Sequence, residues 1–544
     1  MKNLFLFLTL LPFTFFSQNE LEISFGNLAD KSNYEFTKFI GQDHNGFYVE
    51  RLEYKIMKTN LGTVFMPMLY YDKYDKSTLA FLYKIDLNQE DDLDKIVDLR
   101  SRKIYYPLLA SNHFYLFTQN YDPLKKTNVL SFQEINTTTG RINNPKVLDT
   151  YNLEMDKSHF MDYVMTLSPD STKLIITTIE SEIKGENKKL YENKYRISCF
   201  ETRNMNLVYS KTLNSDYDGE KLKLATKYTP TTRKAGYSFE GSEVFQKMIF
   251  VNNAGDTYMG FEDNSNITLG CIRHQNENID FLNIRFPSHS ISNWNAIQSD
   301  DAHILISGVK EDVGEYDVFL KNIDANNLKV ESEGTIGMDS AFASAVETLQ
   351  NLKKNTQIAP VKFQVNNILK IQDYTYVVAE ISQLVEYYSI NGVSPNGNVS
   401  MASNTAKTTD RRRELVVLVF DKDLKLTGRA LLPKCTVNGG IGYSCFVIND
   451  LLRVMFLEDK KTTAIIDGKK KKELNEVNKI RGSHVVCYTV NPAGQIYRQL
   501  LFTNDAPDEV CIEPSLGISG VFPGFLTELD GRGHVKFALI KEKK

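Results

Sequence analysis

The 544-residue sequence predicts an all-β protein, and three observations carry that expectation. From Asn19 onward, short apolar and aromatic runs alternate with clusters of Asp, Asn, Gly and Lys, the signature of strands joined by tight turns. The aromatic content rests on 28 Tyr and 32 Phe against a single Trp, Trp294, and both abundant types favour strands. Helical periodicity is sustained in one place, Ser340 to Lys354, where Phe342, Ala345, Val346, Leu349 and Leu352 share one face behind Asp339.

The strands recur as units. One pattern is a turn followed by a compact apolar strand, as in His44-Asn45-Gly46-Phe47-Tyr48-Val49, Asn112-His113-Phe114-Tyr115-Leu116-Phe117 and Asn253-Ala254-Gly255-Asp256-Thr257-Tyr258. The other is a strand that ends in an Asp or Asn turn and re-enters a strand, as in Val416 to Asp421 before Leu426 and Val485 to Asn491 before Gly494. Their spacing overlaps the roughly 40 to 50 residues of a propeller blade with loop insertions. The expected architecture is a β-propeller of seven or eight blades with one short helix, spanning residues 19–544. The alternative is two smaller β domains divided near residues 340–356. Two polar stretches, Glu182 to Lys194 and Asn391 to Arg413, read as loops inserted between strands.

One unit goes further than pattern. Leu167-Ser168-Pro169-Asp170-Ser171-Thr172-Lys173-Leu174-Ile175-Ile176 resembles the S-P-D-G-x-x-L turn and strand of TolB-type and WD40-like β-propellers, with Ser171 where Gly is usual. The resemblance implies that the turn joins two strands of one blade and that the strand after it packs between neighbouring sheets. More loosely, Ile368 to Asp459 is similar to uncharacterised exported bacterial propeller-like proteins, a likeness that implies no activity.

The N-terminus reads Met1-Lys2-Asn3, a mainly apolar run from Leu4 to Phe16, then Ser17-Gln18-Asn19-Glu20. A basic start, a short apolar core and a small residue before a polar stretch make residues 1–18 a signal peptide cut near Gln18. The run is shorter than the about 20 apolar residues that cross a bilayer, and no later stretch is long and apolar enough to do so. The expected location is outside the cytoplasm: periplasmic, outer-membrane-associated or secreted. No Cys stands at the cleavage point to carry a lipid.

Composition also excludes classes of function. A net charge of -4 argues against nucleic-acid binding, which draws most of its affinity from phosphate neutralisation. The basic runs Arg411-Arg412-Arg413 and Lys469 to Lys472 lie in polar stretches beside Glu and read as solvated loops. Six cysteines form no C-x-x-C pair, so neither a thiolate zinc site nor a redox motif has its spacing. An oxidising compartment would permit Cys435 and Cys445 to close a short loop. None of the eight histidines is paired at H-x-H or H-x-x-x-H spacing. Neither Gly236-Tyr237-Ser238-Phe239-Glu240 nor Gly442-Tyr443-Ser444-Cys445-Phe446 has the second glycine of a nucleophile elbow.

No phosphate-binding loop, dinucleotide fingerprint or haem attachment motif is present, and no cofactor is expected. The one metal candidate is the opening of a calcium loop at Asn214, Asp216 and Asp218, where alternating oxygen ligands precede Gly219. The closing Glu is missing, since Ala225 stands in its place. The leading expectation is a non-catalytic propeller that binds a protein partner in the cell envelope. The alternatives are a propeller hydrolase or lyase acting on extracellular polysaccharide or peptide, and a carbohydrate-binding or adhesion protein.

Overall fold

The computed structural model describes residues 20–28, 34–59, 62–86, 103–122, 124–152, 159–184, 190–214, 216–217, 220–221, 226–228, 245–262, 266–276, 278–286, 290–312, 315–337, 357–358, 362–389, 405–437, 442–462, 477, 480–504, 510–514, 517, 520–526 and 534–543. Among them, eight sheets with four consecutively hydrogen-bonded strands form the eight blades of a β-propeller. The first strands of successive blades are Tyr34–Gln42, Lys103–Ala110, His159–Leu167, Ile249–Val251, Ser290–Gln298, Lys362–Ile371, Tyr443–Ile448 and Val510–Ile512. First strands of adjacent blades approach one another, as in the pairs one–two, three–four, four–five and five–six. They therefore face the axis. The fourth strands lie outermost and leave side chains such as Val147, Leu207, Val330 and Ile496 exposed.

The ring is closed by its two ends. Leu21–Leu28 pairs antiparallel with His534–Glu542, Leu21 opposite Glu542 and Phe25 opposite Ala538, and becomes the outer strand of the eighth blade. The Lys543 amide then donates to the Glu20 carbonyl at 2.7 Å.

Between the sheets lie eight apolar cores, one at each junction. Tyr48 meets Phe114 between blades one and two, and Tyr115 shares a core with Leu174 between two and three. Ile175 and Met259 join three to four, and Tyr258, Trp294 and Phe319 join four to five. Leu320 and Val377 join five to six, Tyr376 and Tyr488 six to seven, and Met455 and Phe522 seven to eight. Phe47 and Phe537, with ring centroids 5.0 Å apart, return the circuit to the start. Residues 340–356, where a domain division was considered, fall in the connection between blades five and six, whose sheets share one core. Each buried aromatic or aliphatic side chain removes surface worth about 1.5 to 3 kcal/mol from water. Packing is close enough that Trp294 requires glycine beneath it: a Cβ at Gly260 would stand 2.4 Å from its ring.

Outside the eighth blade, turns join first to second and third to fourth strands on one face of the ring. Asp43 takes the amides of Asn45 and Gly46 at 2.9 and 2.7 Å. In the third blade Ser168 and Asp170 do the equivalent work. The Ser168 hydroxyl donates to Asp170 at 2.6 Å, and Asp170 accepts the Thr172 amide at 3.0 Å. Ser171 occupies the left-handed region at φ 60°, the conformation that makes glycine usual there. Leu174, Ile175 and Ile176 follow as the second strand of that blade and are buried between sheets, as the resemblance implies.

Three sequence expectations need correction or placement. Arg411–Arg413 is not a loop. It belongs to the strand Thr405–Phe420, with Arg411 opposite Gln383 and Arg412 opposite Ser382. Residues 182–184 and 190–194, read as loop, are likewise strand: Glu182 stands opposite Glu192 and Lys184 opposite Leu190, while Asn193 and Lys194 pair with Ser181 and Glu180. In both places a polar composition suggested a loop, whereas ladder hydrogen bonds to the neighbouring strand hold the backbone extended whatever the side chains prefer. The helix expected over Ser340 to Lys354 lies outside the described residues. The short helix observed is a single turn over residues 460–462, and no described helix is long and apolar enough to cross a membrane.

Candidate binding face

The second and third strands of each blade are joined on the face opposite the tight turns, and three blades lengthen that hairpin. In the first blade it comprises Gly46–Thr59 and Gly62–Asp75, in the third Lys173–Lys184 and Leu190–Glu201, and in the sixth Tyr374–Ser389 and Thr405–Phe420. The sixth is the longest, with 16 residues in each strand. Its outer part gains two short partners, Gln357–Ile358 against Glu386 and Val385, and Thr436–Val437 against Arg412 and Arg411. The described fourth strands also end, and the next blades' first strands begin, on this face.

Charge is buried where these ladders leave the ring. In the sixth blade Lys434 Nζ donates to Glu380 Oε1 at 2.6 Å and to Thr436 Oγ1 at 3.0 Å, both charged side chains buried. Glu380 Oε2 accepts the Asn366 amide at 3.2 Å. In the first blade Arg51 Nε meets Asp72 Oδ2 at 2.7 Å, and the guanidinium lies 4.7 Å from the centroid of the Tyr70 ring. Burial outweighs the pull of Arg51 and raises the Asp72 pKa above its ordinary value. In the seventh blade Glu458 accepts Arg498 and the Tyr488 hydroxyl, both at 2.7 Å. Arg51, Glu380 and Glu458 all stand in their blades' second strands, Gly46–Thr59, Tyr374–Ser389 and Leu451–Asp459.

The axial side of the same region is polar. Register shifts in the first strands of the fifth and sixth blades, between Ser292 and Asn295 and between Val365 and Asn367, bulge the backbone there. Such bulges turn a side chain out of the strand's alternation. The Asn295 amide crosses to the Asn366 carbonyl at 2.9 Å, tying the two blades together, and Asn367 donates to the Tyr443 hydroxyl at 3.0 Å. Burial raises the pKa values of Tyr443 and Cys445, so both are held neutral. Over the two inner strands passes Thr226–Tyr228, which pairs with Phe245–Lys247 and contacts both Ser290–Gln298 and Lys362–Ile371.

The residues singled out from sequence are dispersed. Asn214 ends the outer strand of the third blade opposite Lys194, Asp216 pairs with Lys221 in a two-residue ladder, and Asp218 lies outside the described residues. Among the described residues no three His, Cys, Asp or Glu side chains are gathered to hold a metal. His113 is bonded to Glu134 at 2.6 Å and His303 to Asp300 at 2.8 Å, each near a turn. Ser444 stands within the strand Tyr443–Ile448 rather than at a strand-to-helix turn, and Ser238 lies outside the described residues. All six cysteines are free thiols, Cys435 and Cys445 included. Sequence reasoning missed Glu380, Lys434 and Asn366, whose only signal is a charged or amide residue interrupting an apolar strand pattern.

No family model matches the chain. No curated protein matches it either. Among solved structures it is similar to Sqt1 from Chaetomium thermophilum, at 10% identity over 96% of this chain and 100% of that one, TM-score 0.34. It is also similar to the polysaccharide lyase Uly1, at 9% identity over 80% and 89% of the two chains, TM-score 0.31. Hydrazine synthase of Kuenenia stuttgartiensis matches at 12% identity over 78% and 94%, TM-score 0.27. The eight-bladed ring rests on its own strand pairing.

Proposed function

We propose that the chain is an exported, non-catalytic propeller that binds another protein of the cell envelope through its hairpin face. The observation that carries this reading is the sixth-blade hairpin, 16 residues per strand and anchored at its base by the buried Lys434–Glu380 pair. A projecting ladder offers a partner a pre-ordered surface, so association sacrifices less conformational freedom than ordering a loose loop would. Export is supported by the apolar run from Leu4 to Phe16. Removal of residues 1–17 leaves Leu21–Leu28 whole, so processing spares the strand that closes the ring.

The test compares the full chain with a variant in which residues 384–410 are replaced by Asn-Gly, both purified from native envelopes after cross-linking. The expected result is one partner retained by the full chain and lost by the trimmed variant, with melting temperatures close to each other. A full chain that remains alone and monomeric, or a trimmed variant that keeps the partner, refutes the reading. N-terminal sequencing of the native protein is expected to begin at or near Gln18. Molecules that keep Met1 in the cytoplasmic fraction would refute export.

A further inference from the structure

The outer strands of the fourth blade, Asn266–Ile272 and Ile279–Arg285, carry a cavity of about 310 Å³ lined by Asn266, Thr268, Asn283 and Arg285. Register creates it. Asn266 stands opposite Arg285 and Thr268 opposite Asn283, and residues two apart in a strand share a face. The next pair in the same row is Gly270 and Phe281. A Cβ at Gly270 would lie 3.2 Å from Phe281 Cε1, so the ring occupies the space above the glycine. Beyond it, Ile272 and Ile279 enter the core shared with the third blade. The row thus passes from apolar core through an aromatic edge to an all-polar end at the hairpin face.

Asn283 and Arg285 carry the donors of that end. The Thr268 hydroxyl donates to Asn283 Oδ1 at 2.7 Å, which fixes the amide and leaves its two N–H donors directed away from that bond. Arg285 is exposed and, among the described residues, has no carboxylate within ion-pair distance. Among the described residues no acid lines the cavity. Its volume falls at the lower end of sites that hold small molecules, about 300 to 1,000 Å³. A guanidinium matches a carboxylate with two parallel hydrogen bonds, while amides and a hydroxyl suit a ligand rich in hydroxyl groups.

We propose that this cavity binds a uronic acid unit, its carboxylate on Arg285 and its ring hydroxyls on Thr268 and Asn283. The site lies on the outer strands of the fourth blade and stands whether or not the lengthened hairpins bind a protein.

The test is titration calorimetry of the full chain with D-glucuronate, D-glucose and acetate. Glucuronate is expected to bind saturably, with glucose and acetate each at least about tenfold weaker because each lacks one half of the recognised chemistry. Arg285→Ala is expected to weaken glucuronate about tenfold to a hundredfold with an unchanged melting temperature. Arg285→Lys, which keeps the charge and loses the fork, falls between the two. No saturable glucuronate binding, acetate binding equal to glucuronate, or undiminished binding by Arg285→Ala overturns the proposal.

Discussion

Lys434 Nζ lies 2.6 Å from Glu380 Oε1 across 54 residues of sequence, and the Asn366 amide donates to the carboxylate's other oxygen. Removing one member of a buried pair strands the other charge, at a cost of about 3 to 5 kcal/mol, whereas replacing both with apolar groups is often neutral. Lys434→Ala is therefore expected to destabilise by about that amount. Lys434→Met combined with Glu380→Leu should recover most of the loss. Denaturant melts of the three proteins measure it, and a double variant as unstable as Lys434→Ala would contradict this account.

Ser171 adopts φ 60° at the turn where related turns carry glycine. The left-handed conformation costs a non-glycine residue about 1 to 2 kcal/mol, against about 0.5 to 1 for the extra chain entropy of glycine. Ser171→Gly is expected to raise stability by up to about 1 kcal/mol. The Ser171 carbonyl, which accepts from Ser111 and Thr202 at 2.7 Å each, is unchanged by the substitution. A lowered melting temperature would show that the hydroxyl matters more than the backbone.

Ile175 is fully buried between the third and fourth blades with Cys199 and Met259. Ile175→Asp places an unpaired charge there, costing several kcal/mol, and is expected to abolish soluble, protease-resistant protein. Ile175→Val, which removes one methylene, should cost only about 0.5 to 1.5 kcal/mol. Comparable expression of all three proteins would place Ile175 outside the core.

Asp75 accepts the Thr78 amide at 2.7 Å, the Ser77 hydroxyl at 2.7 Å and the Thr78 hydroxyl at 2.8 Å, which draws its pKa down from 3.8 to about 2. A depressed pKa means that the folded state favours the ionised form. The stabilisation is complete above pH 3.8 and fades as pH falls through about 2. Asp75→Asn should melt below the parent protein at neutral pH, and the gap should close by about pH 2. A gap that does not vary with pH would assign the effect to shape rather than charge.

Much of the ring was legible because its code is local. The Ser168-Pro169-Asp170 turn, the apolar run at Leu174 to Ile176 and the repeated aspartate and asparagine turns each declare themselves within about ten residues. The outer strands declare themselves less well, since Lys146–Asn152 and Lys329–Gly337 are largely exposed and carry few apolar positions. The anchoring groups were illegible for a different reason. Glu380, Asn366 and Lys434 meet only once the sixth blade has folded, and Arg411 and Arg412 are held extended by neighbours on both sides.

Closure by the first and last strands has a consequence for the order of events in the protein's life. Glu20 and Lys543 are 523 residues apart, so Leu21–Leu28, the first described strand, must wait for His534–Glu542, the last described one, before it finds its hydrogen-bonding neighbour. A contact of that separation forms late, because a long loop must be closed before it is rewarded. Until then His534–Glu542 and Leu21–Leu28 each present an open strand edge, the kind of surface on which chains aggregate. Under the export proposed above, that interval lasts until both strands are on the same side of the membrane.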